Sequence, residues 1–195
     1  MPPLVRVGGW LFRQRTWLPL PLAAALIFIP PTEPGPAAPF WLAGLALIVA
    51  GESLRLWSVH HIGAISRTRS DRLGPLIGTG PFALVRNPLY LGNIALWAGF
   101  AVTAQLLWLA PLLIVLLAGE YHAIVRWEEE LLAARIGDSY RQYVGRVPRW
   151  LPSWTSPGAS ENTGTFSWRQ TLFSERGTLI AIGAGCLLLL IKQNI

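Results

Sequence analysis

The sequence predicts an all-α protein, a polytopic membrane helix bundle with about five crossings. Three observations carry that expectation. Hydrophobic side chains make up 52% of the 195 residues and charged ones only 13%, too apolar a balance for an ordinary soluble domain. The apolar residues concentrate in four uncharged stretches, 16–32, 34–51, 87–119 and 177–191. The basic residues, all Arg except Lys192, cluster in the connections between them.

A helix needs roughly 20 apolar residues to cross a bilayer. The first two stretches fit a hairpin around Pro30-Pro31-Thr32-Glu33-Pro34-Gly35-Pro36, a short, stiff loop. The second span ends in Glu52 and Arg55, three apart on one helical face, which reads as a structural tie. From His60 to Gly80 the chain is a polar loop rich in Ser, Arg, Thr and Gly. The stretch 87–119 is too long for one crossing. Extended through Val125, past Glu120 and His122, it holds two helices with a turn at Thr103-Ala104-Gln105. No breaker interrupts Glu120–Ile136, so the fourth helix continues out of the membrane. Gly137 can end it, and Asp138 can start another helix with Tyr140, Tyr143 and Val147 on one face. Pro148 and Pro152 stop regular structure. The division expected is a membrane domain at 1–152, with its motif-bearing part at 54–152, and a polar linker with an amphipathic segment at 153–176. Residues 177–195 form a C-terminal helix that crosses with its flanks or lies in the interface.

Charge placement predicts the topology. Arg6, Arg13 and Arg15 precede the first span, and the next connection carries Glu33 and no basic residue. Arg67, Arg69, Arg72 and Arg86 precede the third span, and seven arginines from Arg126 to Arg176 lie between the fourth and fifth. By the positive-inside rule the N-terminus and the large loops are cytosolic. The net charge of +6 is then a topology signal, with no sign of nucleic-acid binding. Residues 1–38 imitate a secretory signal, but cleavage there would leave the next span in the wrong orientation for its arginine-rich exit. Cys186 stands alone, and His60-His61 and His122 are too scattered for a metal cluster, so no metal is expected. Low Lys with high Arg, Ala and Trp usage points to a high-GC bacterium and its inner membrane.

Two clusters carry chemistry. In Gly80-Pro81-Phe82-Ala83-Leu84-Val85-Arg86-Asn87-Pro88-Leu89-Tyr90-Leu91-Gly92, a cytosolic loop dives into an apolar run. Proline suits the first helical position and Asn the cap before it. Pro88 should therefore open a helix with a partly positive start, to which Arg86 adds a full charge. That geometry suits the carboxylate of a small charged cofactor, while a capped helix with an interfacial Arg is the plainer reading. The second cluster is Glu128-Glu129-Glu130, whose neighbours stand about 100° apart on a helix and only partly share a face. It is either a solvated face or a set of carboxylates for hydroxyls, an amine or a sulfonium. Arg126 could hold an acidic substrate, and Trp127 supplies an apolar wall.

Together the clusters resemble the isoprenylcysteine carboxyl methyltransferase family and its relatives among the phospholipid methyltransferases. That family's pattern runs Gly-x-Tyr, Arg-His/Asn-Pro-x-Tyr-x-Gly, Glu-Glu-x-x-Leu, Phe-Gly-x-x-Tyr-x-x-Tyr and a closing Val-Pro-x-x-x-Pro. Here the chain reads Gly80-Pro81-Phe82, Arg86-Asn87-Pro88-Leu89-Tyr90-Leu91-Gly92, then Glu128-Glu129 with Leu132. It goes on with Ile136-Gly137-Asp138-Ser139-Tyr140, Tyr143 and Val147-Pro148-Arg149-Trp150-Leu151-Pro152. The resemblance implies S-adenosylmethionine as cofactor, bound in a cytosolic pocket formed by loops and a helix extension. Carried over by position, its contacts fall on Gly74, Pro75, Leu76, Ile77, Phe82, Arg86, Asn87, Pro88, Leu89, Tyr90, Glu128 and Glu129. The chain departs at Gly74, where the family often has His, and at Phe82, where it has Tyr. Prenylcysteine enzymes place a substrate-binding Arg where Ile124 stands, with Arg126 two residues later as the substrate-positioning candidate.

The implied reaction is methyl transfer to a lipophilic small molecule or lipid within the membrane, by carboxyl O-methylation as in that family. A carboxylate acceptor needs a cation, whereas an amine needs a base such as one of Glu128–Glu130 or His122. The alternatives are a phospholipid-type N-methyltransferase, a sterol-reductase-like NADPH enzyme and a non-catalytic membrane protein of the same fold.

Overall fold

The computed structural model describes residues 2–63, 76–154 and 166–194, and every regular element among them is a helix. In chain order these are α1 (Pro3–Gln14), α2 (Pro19–Phe28), α3 (Ala37–Ile62), α4 (Pro81–Leu84), α5 (Pro88–Thr103), α6 (Leu109–Ile136), α7 (Asp138–Arg146) and α8 (Trp168–Asn194). All five anticipated crossings are helical. Helices α3, α6 and α8 are long and apolar enough to cross a membrane, whereas α2 and α5 are shorter apolar helices. The chain is an integral membrane protein built as a helix bundle.

Prolines set several ends. Pro19 and Pro88 stand at the first helical position of α2 and α5, where the missing N–H costs nothing. The first span is shorter than the sequence suggested: α2 covers only Pro19–Phe28, because residues 15–18 turn ahead of Pro19 and the prolines after Ile29 end it. Gly137 terminates α6 at φ +68°, a left-handed conformation that glycine adopts without strain. At 28 residues α6 is about 42 Å long against a hydrocarbon core of about 30 Å, so it projects beyond the apolar layer.

Contacts at the two ends of the bundle fix the helix directions. At one end, the amides of Thr32 and Glu33 donate to the Gln105 carbonyl at 3.0 and 3.4 Å. The Lys192 ammonium reaches the Leu26 carbonyl at 2.8 Å, and the Gln193 amide reaches the Thr103 carbonyl at 2.9 Å. At the other end the His60 ring stacks on Trp168 at 4.3 Å, and the Phe166 amide donates to the His60 carbonyl. Helix α8 thus runs antiparallel to α3 over the full height of the bundle. The short apolar stretch 177–191 is the middle of that helix, which starts at Trp168 within the polar flank.

Packing between α3 and α5 relies on absent side chains. A Cβ on Gly51 would lie 2.7 Å from the Gly92 carbonyl oxygen, and one on Gly44 as close to that of Gly99. Such small residues let backbones approach where no hydrophobic force drives association. Helix α1, which the sequence reading passed over, lies along α6. Val5, Gly8, Gly9 and Phe12 are its buried face at helical spacing, and a Cβ on Gly8 would meet the Ala123 carbonyl oxygen at 1.9 Å.

Candidate functional site

The loop into α5 is held by the segment that follows α7. Gly80 adopts φ +57° and Pro81 starts the single turn of α4, after which Val85 is extended. The Arg86 amide donates to the Pro148 carbonyl and the Ser153 amide to the Leu84 carbonyl, both at 2.9 Å. Asn87 stands at the cap position without a side-chain cap bond; its amide nitrogen donates instead to the Arg149 carbonyl at 3.1 Å. From α7, the Tyr143 hydroxyl donates to the Phe82 carbonyl at 2.8 Å. Two motifs far apart in sequence therefore form one seam at the start of α5. Burial pushes Tyr140 up to about 12 and raises Tyr143 as well, so both hydroxyls stay neutral.

Adjacent carboxylates on α6 take different partners. The Tyr90 hydroxyl lies 3.1 Å from both carboxylate oxygens of Glu128. Glu129 instead accepts from Arg86 Nη1 at 2.7 Å and, in a forked pair, from Arg149 Nε at 3.0 Å and Nη2 at 2.7 Å. That hydrogen-bonded carboxylate raises the Arg149 guanidinium above its ordinary value. The step of about 100° between neighbours on a helix produces this division. Glu129 locks the closing segment to the α5 loop, and Glu128 faces an aromatic wall.

Tyr90 stacks on Tyr121 at 4.6 Å between ring centroids, and Phe12, Ile124, Trp127 and Trp150 pack into the same cluster. A side-chain hydrogen bond joins Tyr121 to Asn93, whose side-chain Oδ1 accepts from Arg55 Nη1. Arg55 also meets Glu52 at 3.3 Å, as its spacing implied, and Glu175 of α8 at 2.6 Å. A polar line thus runs from the site through α5 and α3 to α8. On the opposite flank Arg15, just past α1, lies 4.1 Å over the Phe12 ring and is a charge neighbour of Glu128, Tyr90 and Tyr121.

Of the site residues read from the sequence, Phe82, Arg86, Asn87, Pro88, Tyr90, Glu128 and Glu129 converge at this seam. Leu89 follows Pro88 in the first turn of α5. Leu76 packs against Tyr140, Tyr143 and Val147, with Ile77 beside it in sequence. Gly74 and Pro75 lie outside the described residues. Arg126 is exposed, and two residues place it about 200° around α6 from Glu128. Sequence reasoning gave no site role to Arg15, Asn93 or Tyr121. Asn93, a polar side chain within an apolar helix, was the available signal. Among the described residues no group of three or more His, Cys, Asp and Glu side chains is placed to hold a metal ion.

This membrane bundle, with an acid–tyrosine pair beside a helix start, belongs to the phospholipid methyltransferase family, whose profile matches residues 40–139. The matched region runs from α3 to the start of α7 and contains both the α5 loop and Glu128–Glu129. The chain is 28% identical over 111 residues to the nickel-cobalt-cadmium resistance protein NccN of Alcaligenes xylosoxydans xylosoxydans, covering 57% of this chain and 47% of that one. It is 27% identical over the same length to the cobalt-zinc-cadmium resistance protein CzcN of Cupriavidus metallidurans, with the same coverage. The match spans about half the length of these curated relatives. No solved structure matches the chain.

Proposed function

We propose that the chain is an S-adenosylmethionine-dependent methyltransferase acting on a lipophilic acceptor that enters from the bilayer, with a carboxylic acid as the acceptor class. The observation that carries this reading is Glu128, placed by Tyr90 against an aromatic wall at the start of α5, within the region the family profile matches. The donor set fits the cofactor's chemistry. A carboxylate complements an ammonium or hydroxyls, aromatic faces suit a sulfonium and an adenine, and the helix start suits an anion. When bound, S-adenosylmethionine supplies an electrophilic methyl group.

The protein's share of the work is alignment and exclusion of water. Glu128 and the first turn of α5, Pro88-Leu89-Tyr90, would hold the cofactor, with Leu76, Ile77 and Phe82 closing over it. Glu129, Arg86 and Arg149 keep the loop and closing segment in register. A carboxylate acceptor is already ionised at neutral pH and requires a cation beside it, not a base. The family description favours one second reading, N-methylation of a phospholipid amine, in which a carboxylate of the Glu128–Glu130 run or His122 takes the proton that leaves. The arginine distribution supports a bacterial inner-membrane protein with this site facing the cytosol. The relatives' printed names offer metal resistance as a physiological setting.

Isothermal titration of the detergent-purified chain with S-adenosylhomocysteine and, separately, with NADPH tests the reading. Binding of the first alone is the expected result. Binding of NADPH alone would move the protein to a reductase, and binding of neither by folded protein would leave a non-catalytic membrane protein.

A further inference from the structure

Glu128 does not face the aromatic wall alone. Helix α1, outside the region shared with the family, delivers Arg15 to the same side of α6. The Arg15 guanidinium carbon lies 4.1 Å over the ring of Phe12, which is itself buried with its centroid 4.8 Å from that of Trp127. The ring contact holds the Arg15 guanidinium in the electrostatic neighbourhood of Glu128, Tyr90 and Tyr121. A carboxylate and a guanidinium in one neighbourhood complement a zwitterion, since one receives an ammonium and the other a carboxylate. A planar fork suits the second role better than a point charge.

We propose that Arg15 is the carboxylate-binding residue of the site, paired with Glu128 across the aromatic wall. This deepens the methyltransferase reading and rests on it. Two ligands carry the required group, the amino-acid end of the cofactor and a lipophilic acid acceptor.

The test uses the full chain in detergent, as wild type, Arg15→Ala and Arg15→Lys, with folding checked by circular dichroism. Titrations use S-adenosylhomocysteine; 5′-methylthioadenosine, which keeps the nucleoside thioether but lacks the carboxylate; palmitate; and palmitamide, its neutral analogue. In Arg15→Ala a carboxylate ligand should weaken at least about tenfold while its neutral partner changes less than about twofold, and Lys should restore part of the loss. Loss confined to S-adenosylhomocysteine assigns the group to the cofactor, and loss confined to palmitate assigns it to the acceptor. Unchanged binding of both carboxylates, or equal loss of charged and neutral partners in both variants, overturns the proposal. A wild-type chain that binds neither nucleoside removes the methyltransferase reading, and the palmitate pair then decides the role of Arg15 by itself. If palmitate fails to bind as well, both fall.

Discussion

One hydroxyl, that of Tyr90, addresses both oxygens of Glu128 at 3.1 Å, joining the first turn of α5 to α6. The pair lies beside Glu129, which serves a different purpose, so two adjacent acids can be told apart by experiment. Glu128→Gln keeps the shape and removes the charge. It should weaken S-adenosylhomocysteine binding by about 1.5–3 kcal/mol while the melting temperature changes little. Tyr90→Phe, which leaves the charge but not its donor, should cost less, about 1 kcal/mol. Titration calorimetry checks both, and unchanged affinity in Glu128→Gln would limit that residue to a structural bond with Tyr90.

Glu129→Gln should do the reverse. Its carboxylate answers Arg86 and Arg149 together, and both guanidinium groups would lose their counter-charge. The expected cost is about 2 kcal/mol or more, a fall of roughly 4–8 °C in melting temperature. Cofactor affinity should fall only as far as the loop into α5 loosens. A melting curve that superimposes on wild type would show that the seam is held by its backbone bonds.

The membrane stretches were legible because a bilayer imposes length and composition directly, and each apolar run became a helix. The order of the motifs likewise announced that the α5 loop and the acidic run belong together. What the sequence withheld depends on packing. Which of Glu128 and Glu129 faces Tyr90 is set by the rotation of α6, and spacing alone only separates them. Asn87 has the composition of a cap, yet the nearby Arg149 carbonyl takes its amide. Helix α1 was hidden by Gly8-Gly9, poor helix formers in isolation that here admit the α6 backbone. Arg126 drew attention by its place beside the acids, whereas Arg15, read as a topology signal, is the arginine that α1 brings to them.

The Arg55 cluster should show an asymmetry. Glu52 and Glu175 are both buried and both reach the Arg55 guanidinium, so removing either acid leaves Arg55 with a partner. Arg55→Ala instead withdraws the guanidinium from two buried carboxylates at once, a loss of about 3–5 kcal/mol. Glu175→Gln should lower the melting temperature by less than half as much. Adding Glu52→Gln and Glu175→Gln to Arg55→Met should recover part of the deficit, because the two buried negative charges are gone. An Arg55→Ala protein as stable as Glu175→Gln would mean that water reaches the cluster and screens it.

The arrangement of helix ends makes a topology prediction. The loop at Thr32, the turn at Gln105 and the end of α8 meet at one end of the bundle, held by Lys192 and Gln193. The α5 loop, Glu128 and the start of α8 occupy the other. Reporter fusions at Thr32 and after Gln193 should therefore agree with each other and oppose one at Ser153. The arginine bias further expects Thr32 outside and Ser153 inside. The weak point is α2, which at 10 residues is only about 15 Å long and needs its turns, or a locally thinned bilayer, to cross. A cytosolic signal at Thr32 with an external one after Gln193 would separate two regions that are hydrogen-bonded in the fold, and would overturn this packing of the first hairpin.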